Sequence, residues 1–128
     1  MNLPHLPLVV LDTETTGFVP KVHSIMEFAS VCVTNGEITD TYEALFAAGE
    51  VPPVIQALTH ISQEALKDKP RIDDRKTEVL SHIPEGAIMV GQNLAFDLSM
   101  LKGHGMDLTE RPWIDTSLLA SLVFPELA

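Results

Sequence analysis

Residues 6–17 read Leu6-Pro7-Leu8-Val9-Val10-Leu11-Asp12-Thr13-Glu14-Thr15-Thr16-Gly17, an apolar run that leads into two carboxylates. The run predicts a β-strand over Leu6–Leu11 that is buried on both faces and therefore central in its sheet. Side chains alternate between the two faces of a strand, so we expect Asp12 and Glu14 to point the same way. Two like charges on one face repel, and a divalent metal ion between them would relieve that repulsion.

A third carboxylate stands in the segment Gly91-Gln92-Asn93-Leu94-Ala95-Phe96-Asp97, which follows a second short apolar run. Asp97 falls in the first turn of a predicted helix, where the helix dipole favours a negative charge. Asn93 is either a polar cap of that helix or a ligand for a substrate phosphate or sugar. Phe96 and Leu98 are expected to anchor the helix and so to determine where Asp97 points.

Apolar periodicity, turn residues and caps predict the other elements of the chain. Further strands are expected at Ile25–Thr34, Glu37–Phe46, Ala87–Val90 and Trp113–Ile114, with a hairpin turn at Asn35-Gly36. Helices are expected at Val54–His60, from Ser62 onward, and at Ile72–Ile83 and Leu94–Lys102. Asp115-Thr116-Ser117 is expected to cap a last helix that runs through Val123. Three meandering strands followed by alternating helices and strands predict an α/β domain, a mixed sheet flanked by helices.

The composition is that of one globular domain with an aliphatic core. The chain has 128 residues, 45% hydrophobic and only 5% aromatic, and a formal net charge of −10 from 8 Lys+Arg against 18 Asp+Glu. This acidity argues against a non-specific duplex binder, which would need a basic face. Five of the basic residues lie within Lys67–Lys76, but acidic residues are interspersed there, so we interpret the segment as a solvated surface.

The cellular setting follows from features that the sequence lacks. A single cysteine, Cys32, lies in an apolar run and cannot form a disulfide within the chain, which suits a reducing cytoplasm. There is no pattern typical of a signal peptide and no run of about 20 apolar residues, so we expect no membrane span.

Taken together, the two acidic segments resemble a family, the 3′→5′ exonucleases whose site holds three Asp, one Glu and one His. The proofreading epsilon subunit of bacterial replicative DNA polymerase belongs to that family, as do exonuclease domains fused to some bacterial helicases. Leu11–Gly17 is similar to the first motif of the family and Gly91–Asp97 to its second. Leu58–Ser62 looks like its nucleotide-pocket segment, while Trp113–Thr116 and Phe124-Pro125 look like the stretch that precedes its third motif.

The resemblance implies an RNase H-like fold, a mixed five-stranded sheet, and 3′→5′ release of nucleoside monophosphates from the single-stranded 3′ end of DNA or RNA. It implies two divalent cations, Mg²⁺ or Mn²⁺, held by the catalytic residues Asp12, Glu14 and Asp97. It also implies a set of substrate-binding residues: Thr13, Thr15, Thr16, Phe18, Leu58, Thr59, Ile61, Asn93 and Phe96. A polymerase or a helicase is the implied partner, DNA the favoured substrate and the cytoplasm the location.

The chain departs from the family at its C-terminal end. The third motif supplies a general-base His and a fourth Asp, and residues 1–128 stop before it; Gln92 also stands where the family usually has His. None of the five histidines matches the catalytic position, and Asp115 is interpreted as a helix cap. We therefore expect residues 1–128 to be an exonuclease domain truncated at its C-terminus, with weak activity and without the C-terminal helices. Part of the sheet would then be uncovered and apolar, which favours dimerisation.

Two alternatives stay open on sequence grounds. A haloacid dehalogenase-type phosphatase also carries an acidic pair at positions i and i+2 after its first strand. It would need Asp at the second position, a late Gly-Asp-rich metal motif and a supporting Lys, which are not found in place. The other alternative is a non-catalytic module with an exonuclease-like fold that binds nucleic acid or protein.

Overall fold

A computed structural model describes residues 6–123 of the chain, as a five-stranded mixed sheet with helices packed against it. The strands are β1 (Leu8–Thr15), β2 (Ile25–Thr34), β3 (Glu37–Leu45), β4 (Ile88–Gly91) and β5 (Trp113–Asp115). The α-helices are α1 (Pro53–Thr59), α2 (Lys76–Ser81), α3 (Leu94–Gly103) and α4 (Thr116–Val123). Single turns of 3₁₀ helix lie at Glu64–Leu66 and Ile72–Asp74. The expected fold class, an α/β domain with a mixed five-stranded sheet, is confirmed.

The strand that carries the acidic pair lies at the centre of the sheet, as predicted. The strand order is β3-β2-β1-β4-β5, with β1 antiparallel to β2 and parallel to β4. The hairpin between β2 and β3 turns at Asn35 and Gly36, which both adopt positive φ, as a two-residue turn of this kind requires. β1 also continues past the predicted end at Leu11, because Asp12–Thr15 keep pairing with β2.

Two predicted helices were wrong in extent. The pattern over Ile72–Ile83 forms a 3₁₀ turn and a separate short helix, since Arg75 leaves helical geometry at φ −129° and ψ 20°. The segment after Ser62 makes only one 3₁₀ turn, although the Ser62 hydroxyl does accept a hydrogen bond from the Ala65 amide at 3.1 Å. Leu66 is its only buried residue, so the segment lacks the apolar face that would sustain a longer helix.

Within residues 6–123, one face of the sheet is covered by α3, and the other presents partly exposed apolar side chains. The main core joins odd-numbered β1 residues such as Val9 and Leu11 to Leu94, Leu98 and Leu101 of α3. Cys32, which lies in an apolar run of the sequence, belongs to this core. On the opposite face a row of apolar side chains crosses four paired strands: Val31, Val10, Val90 and Ile114. Val10 is 44% exposed and Ile114 is 40% exposed, so the expected uncovered apolar surface is present among the described residues.

Between residues 6 and 123, the structure contains no helix with the length and apolar character to span a membrane. Two features used in the sequence analysis, His5 and Phe124-Pro125, lie outside the described residues.

Candidate active site

The last residues of β1 present two carboxylates on the face of the sheet that α3 does not cover. Val9, Leu11 and Thr13 are buried, whereas Asp12 is exposed and Glu14 is half-buried, which is the alternation expected of a strand. Partial burial raises the pKa of Glu14, and the neighbouring charge of Asp12 raises it further. The two groups therefore form a site where negative charge is concentrated at the centre of the sheet.

Asp97 lies in the first turn of α3 and is 3% exposed, far more buried than the other two carboxylates. Burial raises the pKa of Asp97 to about 6, with further increases from the charges of Asp12 and Glu14. A hydrogen bond from the Thr13 hydroxyl to Asp97 Oδ1 acts in the opposite direction. The tertiary fold thus brings the first and second acidic segments into one electrostatic unit, although 84 residues separate Thr13 from Asp97 in the chain.

The turn between β4 and α3 fixes where Asp97 enters the site. Gly91 lies against β1 so closely that a Cβ atom there would be 2.9 Å from the Leu11 carbonyl oxygen. Asn93 adopts a left-handed backbone conformation, and its backbone N–H donates a hydrogen bond to Asp115 Oδ1 at 3.1 Å. Asp115 also accepts from the Ser117 amide at 2.9 Å, so the prediction that it caps the last helix is confirmed. The Ser117 hydroxyl also donates to Asp115 Oδ1, and this bond contributes most to lowering the pKa of Asp115. The bonds from the backbone N–H groups of Ser117 and Asn93 lower that pKa further.

Three threonines expected to bind substrate have their hydroxyls engaged inside the protein. The Thr13 side chain is buried on the face opposite Asp12 and is bonded to Asp97. Thr15 Oγ1 donates to the Gly17 carbonyl at 2.7 Å, and Thr16 Oγ1 accepts from the Ser24 amide at 3.0 Å. All three hydroxyls thus brace the end of β1 and the loop after it, and we no longer expect them to contact substrate in this arrangement.

Phe18, which directly follows the first motif, and Phe96 of the second motif lie close together. Phe18 is 74% exposed, and its ring centroid lies 6.1 Å from that of Phe96, which is half-buried. Their exposed surface is suited to stacking against a nucleotide base.

In the nucleotide-pocket segment Leu58–Ser62, only part of the expected substrate-binding residues is open to a base. Leu58 is 70% exposed on α1, but the Thr59 hydroxyl donates to the Ile55 carbonyl at 2.8 Å. Ile61 is buried in a second apolar cluster with Val51 and Leu66. Its side chain is therefore turned away from solvent, and we no longer expect it to contact the substrate.

Two further acidic residues extend the site, and the sequence analysis did not find them. Glu27 of β2 lies directly opposite Glu14, and Glu43 of β3 lies opposite Ala29 on the same face. Burial raises the pKa of Glu27, and the charges of Glu43 and Glu14 raise it further. The signal was a lone carboxylate within the otherwise apolar strand Ile25–Thr34.

The described histidines have other roles. The His23 ring packs against Gly17, and His60 is exposed at the end of α1. His82 is half-buried, and its Nδ1 lies 2.7 Å from Asp40 Oδ2. His104 is buried: its Nε2 accepts from the Ile25 amide at 3.1 Å, and its Nδ1 lies 3.2 Å from Asp73 Oδ1.

The donor chemistry fits a divalent cation in part. Carboxylate oxygens are the ligands that Mg²⁺ and Mn²⁺ prefer. Within residues 6–123, however, no three His, Cys, Asp or Glu side chains lie close enough together to hold one ion. Asp97 bonds to Thr13, so Asp12 and Glu14 are the two oxygen donors that already face solvent.

The fold and this site together define a class of nucleases. The family model RNase_T, described as "Exonuclease", matches residues 9–128, and the chain belongs to this family. Members of the family depend in general on divalent metal ions. The resemblance found in the sequence is therefore confirmed, and the phosphatase alternative is wrong.

Among curated proteins, the chain is similar to part of bacterial DNA polymerases. The chain is 39% identical over 118 residues to "DNA polymerase III PolC-type" of Thermotoga petrophila, covering 88% of this chain and 8% of that protein. It is 35% identical over 137 residues to the PolC-type polymerase of Halalkalibacterium halodurans, covering 98% of this chain and 9% of that protein. The chain thus spans less than a tenth of the length of these relatives.

Solved structures agree on the fold. "Exonuclease X in complex with 5' overhanging duplex DNA" superposes with a TM-score of 0.72 at 29% identity, over 92% of this chain and 64% of that one. E. coli exonuclease I in complex with a dA16 oligonucleotide has a TM-score of 0.76 at 14% identity, over 95% of this chain and 31% of that one. The second likeness is one of fold alone, and it supports the RNase H-like class.

Proposed function

We propose that this domain removes nucleoside monophosphates from the 3′ ends of single-stranded DNA, with Asp12, Glu14 and Asp97 as its catalytic carboxylates. One observation carries the proposal: Asp97 of the second motif is hydrogen-bonded to Thr13, which stands between Asp12 and Glu14 at the end of the central strand. That convergence of two distant motifs is what phosphodiester hydrolysis by metal ions requires. The membership in the exonuclease family supports the reaction class.

The proposed cofactor is a pair of Mg²⁺ or Mn²⁺ ions. Such a pair would polarise the phosphate and make hydroxide available near neutral pH. Asp12 and Glu14 would hold ions on the open face of the sheet, and Asp97 would join them after exchanging its hydrogen bond with Thr13 for metal ligation. Burial and then the charge of Asp12 raise the pKa of Glu14, while burial and then the charges of Asp12 and Glu14 raise that of Asp97. The repulsion between these carboxylates favours binding of such cations.

The proposed substrate contacts are fewer than the resemblance implied. Phe18 and Phe96 form an aromatic surface for the terminal base, and exposed Leu58 is available to separate it from its neighbour. Asn93 is exposed at the start of α3, where its side chain can reach a phosphate or sugar. An unpaired 3′ end suits apolar contacts of this kind, because every base has a face on which to stack.

The partner and the setting are proposals drawn from the relatives. PolC-type polymerases have a polymerase in the same protein, so we propose that this domain trims 3′ ends beside a polymerase, in the cytoplasm. We also propose that residues 1–128 fold as one domain. The apolar row of Val31, Val10, Val90 and Ile114 would then mediate dimerisation when nothing else covers it.

The test is release of mononucleotides from a 3′-labelled single-stranded oligonucleotide in the presence of Mg²⁺ or Mn²⁺. Asp12→Ala should abolish release, because it removes an oxygen donor from the open face. Asp68→Ala, an exposed carboxylate outside the site, is the matched control and should retain activity. Release that survives Asp12→Ala would refute the proposed site, and a chelator should stop release in the parent protein.

A second candidate function is a non-catalytic module that binds single strands without cleavage. It is favoured by one observation, the lack of a ready-made three-ligand metal cluster among residues 6–123. Binding of the labelled oligonucleotide with no release at any metal concentration would support the module and refute the exonuclease.

A further inference from the structure

The outer edge of the sheet carries a groove that shares only Glu43 with the acidic site described above. The groove has a volume of about 470 Å³ and lies along β3, on the side away from β2. Its floor is Tyr42–Phe46, and its far wall comes from the segment between Lys69 and Glu78. Strands at the edge of a sheet offer unpaired backbone groups, which makes them templates for the addition of another strand.

The register shows which backbone groups are free. The Phe46 amide donates to the Met26 carbonyl at 2.7 Å, so positions 46, 44 and 42 of β3 bond to β2. Thr41, Glu43 and Leu45 alternate with these positions and direct their N–H and C=O groups outward. Among residues 6–123, no backbone hydrogen bond from another segment reaches those three positions.

The same edge already accepts a strand at its far end. Ala47 forms a parallel bridge with Arg71, and the Ala47 amide donates to the Pro70 carbonyl at 2.9 Å. Ala47 continues the outward-facing series of Thr41, Glu43 and Leu45. The chain itself therefore demonstrates that this edge supports β-pairing, and it leaves the neighbouring positions open.

The charges around the groove select the occupant. Five of the eight Lys and Arg residues lie in Lys67–Lys76, and two of them, Lys69 and Arg75, line the groove. Arg75 lies 3.8 Å from Glu78, whereas Lys69 makes no ion pair with any residue of the described range 6–123. A carboxylate on the incoming segment would pair with Lys69, and a basic side chain would suit Glu43.

We propose that this groove docks an extended peptide segment of a partner protein, which adds to β3 as a strand and places a carboxylate against Lys69. A second copy of this chain fits poorly, because β3 carries Glu37, Asp40 and Glu43 and two such strands would repel. Nucleic acid fits poorly as well, since the edge alternates donors with acceptors and Glu43 and Glu78 repel phosphates.

The test begins with peptides selected from a random library displayed on phage, using the whole chain as bait. The selected peptides are synthesised, and hydrogen exchange is measured with each of them bound. We expect an acidic residue in every one of these peptides and slower exchange at the amides of Thr41, Glu43 and Leu45. If no selected peptide slows exchange at those three amides, the proposal is overturned.

Matched variants then separate the two contacts. Thr41→Pro removes one outward donor at a position where edge strands tolerate proline, whereas Thr41→Val keeps it. We expect Thr41→Pro to weaken binding about tenfold and Thr41→Val to leave it unchanged. Lys69→Glu should weaken binding by a similar factor, while Lys67→Glu, in the same basic segment but outside the groove, should not.

Three further results would test the proposed peptide-docking groove. Equal loss of binding in Lys69→Glu and Lys67→Glu would indicate non-specific attraction and would overturn the proposal. Protection of the same three amides by a single-stranded oligonucleotide, lost in Lys69→Glu, would assign the groove to nucleic acid instead. Mononucleotide release should be the same in all four variants, so failure of this inference is distinguishable from failure of the exonuclease assignment.

Discussion

At the scale of single residues, Asp97 carries the largest electrostatic cost in the site. It is buried beneath the end of β1, and that burial raises its pKa to about 6. Its carboxylate is therefore ionised at neutral pH against the preference of its surroundings, with hydrogen bonds from the hydroxyl and the backbone of Thr13 as its stabilising contacts. A residue that costs stability in this way is typical of a functional site.

We predict that Asp97→Asn stabilises the metal-free protein at pH 8 and has little effect at pH 4. The pKa is higher in the folded state than in the unfolded state, so the folded protein binds the proton more tightly. Stability is thus greatest below the unfolded value and is lost as the pH rises through about 6. The asparagine oxygen can still accept from Thr13, so the gain at pH 8 should be on the order of 2–3 kcal/mol.

Thermal unfolding of both proteins between pH 4 and pH 8, in the presence of a chelator, measures this effect. Asp68→Asn removes the same charge from an exposed position and should show no comparable gain. A stability difference for Asp97→Asn that does not change with pH would contradict the assigned ionisation.

At the scale of elements, the parallel pairing of β4 alongside β1 determines where α3 begins. Gly91 has no side chain at the point where the Leu11 carbonyl and the Leu94 side chain approach it. The close approach lets the turn at Asn93 start α3 directly, and Asp97 then falls beneath β1. The glycine is thus needed for packing rather than for an unusual backbone angle.

We predict that Gly91→Ala destabilises the domain by about 1–3 kcal/mol and lowers nuclease activity. An added Cβ would meet backbone at 2.9 Å and the Leu94 side chain at 3.0 Å, so β4 and α3 must shift. Gly86→Ala is the matched control, because a Cβ there meets no heavy atom within 4 Å. Denaturant unfolding measures both variants, and an equal effect in the two would contradict this explanation.

At the scale of the whole molecule, one face of the sheet is covered, and the other is partly exposed in the part of the chain that the structure describes. The uncovered row of Val31, Val10, Val90 and Ile114 lies beside the acidic residues of the site. An exposed apolar surface of this kind promotes association. The high net charge of −10 opposes association of identical chains, so dimerisation should strengthen as salt screens that repulsion.

We predict that Val10→Thr combined with Ile114→Thr reduces self-association of the 128-residue chain in high salt. The substitutions place hydroxyls on the row without changing charge or strand propensity greatly. Sedimentation velocity over a range of concentrations measures the change. Ile38→Thr, which alters a residue 68% exposed near the hairpin, should leave the association unchanged. A parent chain that is monomeric at every salt and protein concentration would refute the prediction.

The sequence alone predicted the elements and the family because those depend on local signals. The apolar run Leu6–Leu11, the Asn35-Gly36 turn and the acidic residues of both motifs are readable without coordinates, and they predicted a central first strand. The helix over Ile72–Ile83 was predicted wrongly, because apolar spacing does not report the break at Arg75.

The tertiary structure decided which side chains share an environment. Pairing of β1 with β2 placed Glu27 opposite Glu14, and packing of α3 buried Asp97 against Thr13. It also turned Ile61 into the core and left the outer edge of β3 open beside Lys69. These relations join residues far apart in the chain, so they depend on register and packing, which no local pattern of amino acids specifies.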